Sequence, residues 1–348
     1  MQLPETKIDS IITDAIGRKI FPGAVFAITQ DSRIIYHKAF GHFTYESQSP
    51  LVMNDTLYDL ASVTKQIVAT GALRLLELGK IVLNKPIREY LPIPVMSPIG
   101  DRTIWHLLTH TSGIQVETSK LSKKELINLL YDNLPNSVLF QESGKKVQYG
   151  NINTFLLGEI ISKISNKSLA VFLEEEVFRP LGMKDTMYCP SIKLRPKIPP
   201  TEILNDKTIV QGVVHDESAK ILGGKVGQAG LFSNVPDLAR FISFWADSTT
   251  NSKILKQKTI ELAVKNHTPG MNLAAGLGWH LDDSEYLGNS FKPGTFFHPG
   301  FTGTIIGGNR KINVGFVFLS NCTYPHRESS KLKSEIFQSL LTETFSVY

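Results

Sequence analysis

Stretches rich in β-branched and aromatic residues come in two pairs at opposite ends of the 348-residue chain, 24–29 with 34–40 and 296–306 with 313–320. The first pair is joined by Gln30-Asp31-Ser32-Arg33 and the second by Gly307-Gly308-Asn309-Arg310-Lys311. Both connections are turn-like, so each pair reads as a hairpin and the sheet they build is antiparallel. Ile8, Ile11, Ile12, Ala15 and Ile16 put one apolar face on an N-terminal helix, and Leu332, Ile336, Phe337, Leu340 and Leu341 do the same for a C-terminal one. The two ends therefore predict a single sheet-and-helix layer. Between them, residues 62–79, 103–110, 122–134, 152–165 and 168–178 read mostly helical, with breaks at Pro86, Pro92, Pro94, Pro98 and Pro135, and a proline-rich stretch at 192–200 carries the chain back. The expected fold class is α/β in the α+β sense: an antiparallel sheet flanked by N- and C-terminal helices (1–65 with 205–348), into which an all-helical domain (66–204) is inserted.

At 42% hydrophobic and 20% charged residues, the chain can bury a substantial core, which excludes disorder and repetitive scaffolds. The 37 Lys and Arg against 32 Asp and Glu give +5, yet no block of five like charges occurs, so nucleic acid is not an expected partner. Cys189 and Cys322 stand alone, and the nine histidines show no His-x-x-x-His spacing; neither a disulfide framework nor a metal site is expected. There is no phosphate loop, dinucleotide fingerprint or Gly-x-Ser-x-Gly elbow, and no cofactor is called for. No 18-residue apolar run implies a transmembrane segment. The opening MQLPETKIDSIITDAIGRK is acidic early and lacks a signal-type apolar region, which points to the cytoplasm, or to an extracytoplasmic site if a leader has been removed.

Ser62-Val63-Thr64-Lys65 opens the helix that runs to Gly79. At i and i+3 two side chains share a helical face, so a lysine amine can reach a serine hydroxyl, and a serine is a weak nucleophile until a base takes its proton. A lysine can act as that base once desolvation lowers its pKa, and the helix N-terminus offers N–H groups to an oxyanion. The bare pattern is weak evidence, since about one or two such pairs arise by chance in a chain of this length. Ser143–Lys146 lies in a polar loop and Ser330–Lys333 opens a solvated terminal helix, whereas Ser62 is followed by an apolar helix, 67–78, that must be buried. Tyr149-Gly150-Asn151, just before another helix, could relay a proton and hold a carbonyl; Tyr131-Asp132-Asn133 matches by spacing but falls at a helix end. His298-Pro299-Gly300 follows Phe297, where a glycine allows close backbone approach and the histidine can be a cation or donor near neutral pH. Lys225-Val226-Gly227 and Lys292-Pro293-Gly294 compete for that position.

Ser62-x-x-Lys65, Tyr149-Gly150-Asn151 and His298-Pro299-Gly300, in this order, resemble the three active-site elements of the serine β-lactamase and penicillin-binding-protein superfamily, in the branch of class C β-lactamases, D,D-peptidases, D-aminopeptidases and esterases. The stretches at 103–113, 212–219 and 229–241 are also similar, and the likeness spans roughly residues 20 to 320. The resemblance implies an active site in the cleft between the two domains. It implies Ser62 as acylated nucleophile, Lys65 as its base, Tyr149 passing a proton to the leaving group, and Asn151 positioning the acyl side-chain amide. His298 would stand where lactamases have a lysine, and the N–H groups of Ser62 and Phe301, beside Gly300, would form the oxyanion hole.

Two departures bear on substrate. The histidine at 298 is typical of peptidases and esterases in this branch, and Pro299 offers no hydroxyl to a substrate carboxylate unless Thr302 or Thr304 compensates. The leading expectation is a hydrolase of D-amino-acid peptides that β-lactams can acylate; an esterase or lactonase, and a catalytically silent binder of wall peptides or of a partner protein, are the alternatives. His110, Thr111 and Ser112 read as turn and capping residues, and His215 with Asp216 either lines the cleft or forms a structural loop. Oligomeric state cannot be read from the sequence.

Overall fold

The computed structural model describes residues 3–128, 138–249, 254–288, 291–327 and 333–348. Six strands, β1 (Gly23–Gln30), β2 (Arg33–Gly41), β3 (His280–Leu281), β4 (Thr295–Gly300), β5 (Thr304–Asn309) and β6 (Val314–Ser320), form one antiparallel sheet in the order β3-β4-β5-β6-β1-β2. The chain ends meet in the β1–β6 pairing, where Val25 lies opposite Leu319 and Phe26 opposite Phe318.

Of the five longer helices, α1 (Glu5–Gly17), α2 (Val63–Glu77), α4 (Val235–Ala246) and α5 (Lys333–Phe345) pack around this sheet, and α3 (Asn151–Ser165) packs on α2. Because side chains alternate across a strand, β1 feeds two different cores. Ala24, Phe26 and Ile28 join Ile8 and Ile12 of α1 and Phe337 and Leu340 of α5. Val25 and Ala27 point the other way, into the cluster of Ile67 and Leu73 of α2, Leu157 of α3 and Phe241 and Trp245 of α4. A strand buried on both faces must be nearly all apolar, and GAVFAITQ is.

The run at 296–306 is not one strand. It folds back on itself as β4 and β5 around Phe301-Thr302-Gly303, where Gly303 takes φ +103°, a conformation that favours glycine. Gly307, Gly308 and Asn309 then lie inside β5 instead of in a turn. A Cβ on Gly307 would sit 2.4 Å from the Phe316 ring and 2.5 Å from the Phe296 carbonyl, so this glycine reflects close packing, not a reversal. The turn itself follows, ending at Asn313 with φ +53°. The sequence reading also passed over α4, although Asn234 caps it through Asp237 N–H (3.0 Å) and Leu238, Phe241, Ile242 and Trp245 have helical spacing. Of the segment at 122–134, Lys123–Asn128 is helical; the remainder, with Tyr131 and Pro135, and Leu332 near the C terminus, falls outside the described residues.

Candidate active site

Ser62 occupies the N-cap position of α2, its hydroxyl free of any capping bond, at the end of a turn held by Asp59. The buried Asp59 carboxylate accepts the Ala61 N–H (2.8 Å) with one oxygen and the His215 N–H (2.7 Å) with the other. Its backbone carbonyl accepts the Thr302 hydroxyl (2.8 Å), and the next carbonyl, of Leu60, accepts the Thr304 hydroxyl (3.0 Å). Ala61 is thereby kept at φ +46°, an uncommon conformation for alanine immediately before the serine. The β4–β5 hairpin can approach this turn so closely because residue 300 is glycine: a Cβ there would be 2.6 Å from the Leu60 carbonyl oxygen.

One turn into α2, Lys65 is 1% exposed. Its Nζ lies 2.9 Å from Ser62 Oγ and donates to the Gln228 carbonyl at 2.9 Å. Burial pulls the Lys65 pKa down to about 7, with Asp216 opposing the shift, so an appreciable fraction is free amine near neutrality. Tyr149 covers the pair, its ring centroid 5.0 Å from Lys65 Nζ. The ring is 44% exposed, yet its phenol is pushed above the ordinary tyrosine range by desolvation at the cleft floor; a hydrogen bond from Ser62 opposes this and Asp216 adds to it.

Three imidazoles surround Tyr149, at centroid distances of 4.9 Å (His110), 5.9 Å (His280) and 6.1 Å (His298). Desolvation comes first for all three; Lys65 adds to it at each, and neighbouring imidazoles add to it at His110 and His298, while Asp283 opposes it at His280: His110 is pulled down to about 3 and His280 to about 4, and His298 lies well below its ordinary value. His110 Nδ1 accepts from Asn153 Nδ2 (2.9 Å) and the Gly150 N–H (3.3 Å), which fixes the backbone on either side of Tyr149-Gly150. His110 is thus more than the turn residue expected of it. His298 Nδ1 is 2.9 Å from the Pro299 carbonyl and must carry its proton there, while the buried Nε2 has no partner among the described residues. Of the two roles expected at 298, cation or donor, the structure shows a neutral imidazole whose Nδ1–H donates to the Pro299 carbonyl, burial being the main reason that it is uncharged.

Asn151 starts α3 and its amide donates to Thr118 Oγ1 and Asp216 Oδ2, both at 3.3 Å. The other Asp216 oxygen caps the helix Glu217–Ile221 through the Ala219 N–H (2.7 Å). His215 bonds Glu202 (3.0 Å) and stacks beneath Phe301 at 5.6 Å. Both residues therefore brace the cleft from loop positions. Thr302 and Thr304, by contrast, are fully buried with their hydroxyls committed to backbone carbonyls, and cannot stand in for a hydroxyl at 299. Among the described residues, neither the Ser62 nor the Phe301 backbone N–H has a protein acceptor, which leaves both free for a ligand oxygen.

Ser62, Tyr149, His280, Pro299, Phe301 and Lys333 line a cleft of about 300 Å³. The competing positions lie elsewhere: Lys225 and Lys146 are exposed, Ser143 sits in a loop beside Arg102, and Lys292 turns the chain into β4. Ser330 is outside the described residues, but its partner Lys333 is in the cleft wall, a placement that reading the pair as a solvated helix start missed. His280 and Asp59 were missed as well; neither belongs to a recognisable spacing, and both are identified only by what the fold brings beside them. Among the described residues no helix is long and apolar enough to cross a membrane, and no group of three or more His, Cys, Asp or Glu could hold a metal ion.

A Beta-lactamase family model matches residues 8–340. The N-acetylmuramyl-L-alanine amidase of Bacillus subtilis (strain 168) is 30% identical over 358 positions, covering 90% of this chain and 80% of that protein. A putative D-alanyl-D-alanine carboxypeptidase of Escherichia coli (strain K12) is 27% identical, covering 92% and 82%. Two solved structures share the fold: an octameric penicillin-binding protein homologue from Pyrococcus abyssi (TM-score 0.77, 22% identity, 99% and 78% covered) and a class C β-lactamase from Rhodobacter sphaeroides (TM-score 0.75, 20% identity, 97% and 99% covered). With nearly its whole length matched, the chain belongs to the beta-lactamase family.

Proposed function

We propose that the protein is a serine hydrolase working through a Ser62 acyl-enzyme, on D-amino-acid peptides of the D,D-carboxypeptidase or D-aminopeptidase type, and that β-lactams acylate it. The observation that carries this reading is a buried lysine, its pKa lowered to about 7, 2.9 Å from a serine hydroxyl at a helix start. Lys65 takes the Ser62 proton as Oγ bonds to the substrate carbonyl carbon, and the resulting oxyanion sits between the N–H groups of Ser62 and Phe301. The proton passes through Tyr149 to the leaving nitrogen as the C–N bond breaks. Water then adds to the acyl-enzyme by the same route, releasing the acid and restoring Ser62. The names of the two relatives, an amidase and a putative carboxypeptidase, support amide chemistry. In the same reading the cleft separates a helical unit, 66–204, from a sheet unit, 1–65 with 205–348.

A second reading, ester or lactone hydrolysis, is favoured by Pro299 and the neutral His298, which together leave the β4 edge without the hydroxyl and cation that hold a substrate carboxylate. Fluorescent penicillin labelling of wild type and Ser62→Ala, with hydrolysis of a D-Ala-D-Ala peptide, nitrocefin and a p-nitrophenyl ester, separates the cases. Labelling lost in Ser62→Ala with peptide turnover supports the first reading. Ester turnover without peptide turnover selects the second, labelling without turnover indicates a binding protein, and undiminished labelling of Ser62→Ala overturns the acyl-enzyme.

A further inference from the structure

Lys65 and Asp216 are opposite charges, and among the described residues neither has an ion-pair partner of its own. The lysine Nζ bonds to Ser62 Oγ and the Gln228 carbonyl, and the Asp216 carboxylate to the Asn151 amide, the Ser218 hydroxyl and the Ala219 N–H. A run of hydrogen bonds joins the two. The Gln228 carbonyl accepts from the lysine at 2.9 Å, the Gln228 side-chain amide donates to Ser218 Oγ at 3.3 Å, and the Ser218 hydroxyl donates to Asp216 Oδ1 at 2.6 Å. Gln228 is 1% exposed and Ser218 fully buried. Chemistry fixes the direction: an amide NH2 only donates and a carboxylate only accepts, so the hydroxyl between them points at Asp216. The donors thus line up toward the carboxylate, and bonds in such a run polarise one another where water is excluded. A buried ammonium without a counter-charge is unfavourable; against the burial that lowers the Lys65 pKa stands the charge of Asp216.

We infer that Asp216 is the remote counter-charge of Lys65 and a positioning residue for it, holding the amine against Ser62 through Ser218 and Gln228. This rests on the acyl-enzyme reading above and adds to it the group that stabilises the lysine once it has taken the Ser62 proton. Tyr149, His110, His280 and His298 also face Lys65, and they stay uncharged between about pH 5 and 9. The neighbours of Asp216 in the chain turn away from it, His215 to Glu202 and Glu217 to Arg327. Asp59, near enough to repel Asp216, accepts the Ala61 and His215 N–H groups. All of these are common to wild type and the variants below, so a displaced acid limb reports the Asp216 charge.

The test compares the pH dependence of single-turnover fluorescent penicillin labelling in wild type, Asp216→Asn and Asp216→Glu. Asparagine caps a helix as well as aspartate does, and the Asn151 amide can turn its oxygen toward it, so Asp216→Asn removes the charge and keeps the contacts. Its acid limb should move down by at least about 0.5 pH unit, because Lys65 then gives up its proton more easily, while Asp216→Glu should hold the limb within about 0.2 unit of wild type. A limb unmoved in Asp216→Asn, or moved equally in Asp216→Glu, would mean that Asp216 serves its helix alone, and overturns the proposal. A readout independent of turnover is Tm at pH 6, where Lys65 is largely protonated. Asp216→Asn should lower Tm by at least about 2 °C in the wild-type background and leave it unchanged or higher in Lys65→Met; equal losses in both backgrounds overturn the coupling. Undiminished labelling of Ser62→Ala, or a wild-type profile with no acid limb, would instead refute the acyl-enzyme with lysine as its base, and the Tm comparison would still decide whether the two charges are coupled.

Discussion

Lys65 Nζ and Ser62 Oγ lie 2.9 Å apart in a pocket where the lysine is 1% exposed. A lysine in water is protonated to above pH 10 and could not accept the serine proton, but burial brings this one to about 7. Acylation should therefore rise about tenfold per pH unit below 7 and level off above it. The single-turnover rate of penicillin labelling between pH 5 and 9 measures this limb; a flat profile would mean that another group is the base.

The same shift has a cost in stability. Between pH 7 and about 10 the unfolded chain holds a proton on Lys65 that the folded chain does not, so this group makes the fold more stable as pH rises through that window, and its penalty is full below pH 7. Lys65→Met, which keeps the volume and removes the buried amine, should raise Tm at pH 7 by at least about 2 °C while abolishing turnover. A lower Tm would show that the bonds to Gln228 and Ser62 outweigh desolvation.

Tyr149 is held protonated beside three neutral imidazoles. A protonated phenol suits delivery of a proton to an amine that must leave, and matters less to a phenolate that leaves unaided. Tyr149→Phe should lower kcat/KM for an amide by about 10²-fold or more and for a p-nitrophenyl ester by much less. Equal losses on both substrates would argue for a positioning role.

Thr302 illustrates where sequence reading stops. Its place after Gly300 made it a candidate for substrate contact, but whether it faces the cleft depends on how the strand turns, and the run at 296–306 gave no sign of folding into two strands. The hydroxyl donates to the Asp59 carbonyl instead. Ser62, Lys65 and Tyr149 were legible because helical spacing and a contiguous motif constrain them locally. His280 and Asp59 were not, because each acquires meaning from residues more than a hundred positions away, Tyr149 and His215 respectively. The sheet was legible from alternating apolar runs, and α4 was overlooked where a motif-like stretch drew attention from its helical period. Thr302→Val should accordingly cost about 1 kcal/mol of stability and leave penicillin acylation within about threefold of wild type; a far larger loss of acylation in the folded variant would return Thr302 to the substrate.

Asp59 ties together three segments that sequence separates: the turn before Ser62, the loop at His215 and the hairpin carrying Phe301. Its carboxylate is fully desolvated, so its pKa is raised, although two backbone N–H groups and the nearby His215 favour the charged form. Removing it leaves the Ala61 and His215 N–H groups buried without acceptors, a loss of about 1–3 kcal/mol for each. Asp59→Asn retains one acceptor oxygen but presents an amide NH2, itself a donor, to the other N–H, and should recover only part of this. Because Ala61 at φ +46° is held by that same bond, the serine should lose its alignment with the oxyanion donors before the protein unfolds. Asp59→Asn is expected to stay folded with Tm lowered by several degrees and penicillin acylation slowed at least tenfold, with lysine-limited pH dependence preserved. Acylation at the wild-type rate in a folded Asp59→Asn protein would show that the turn holds its shape without the carboxylate.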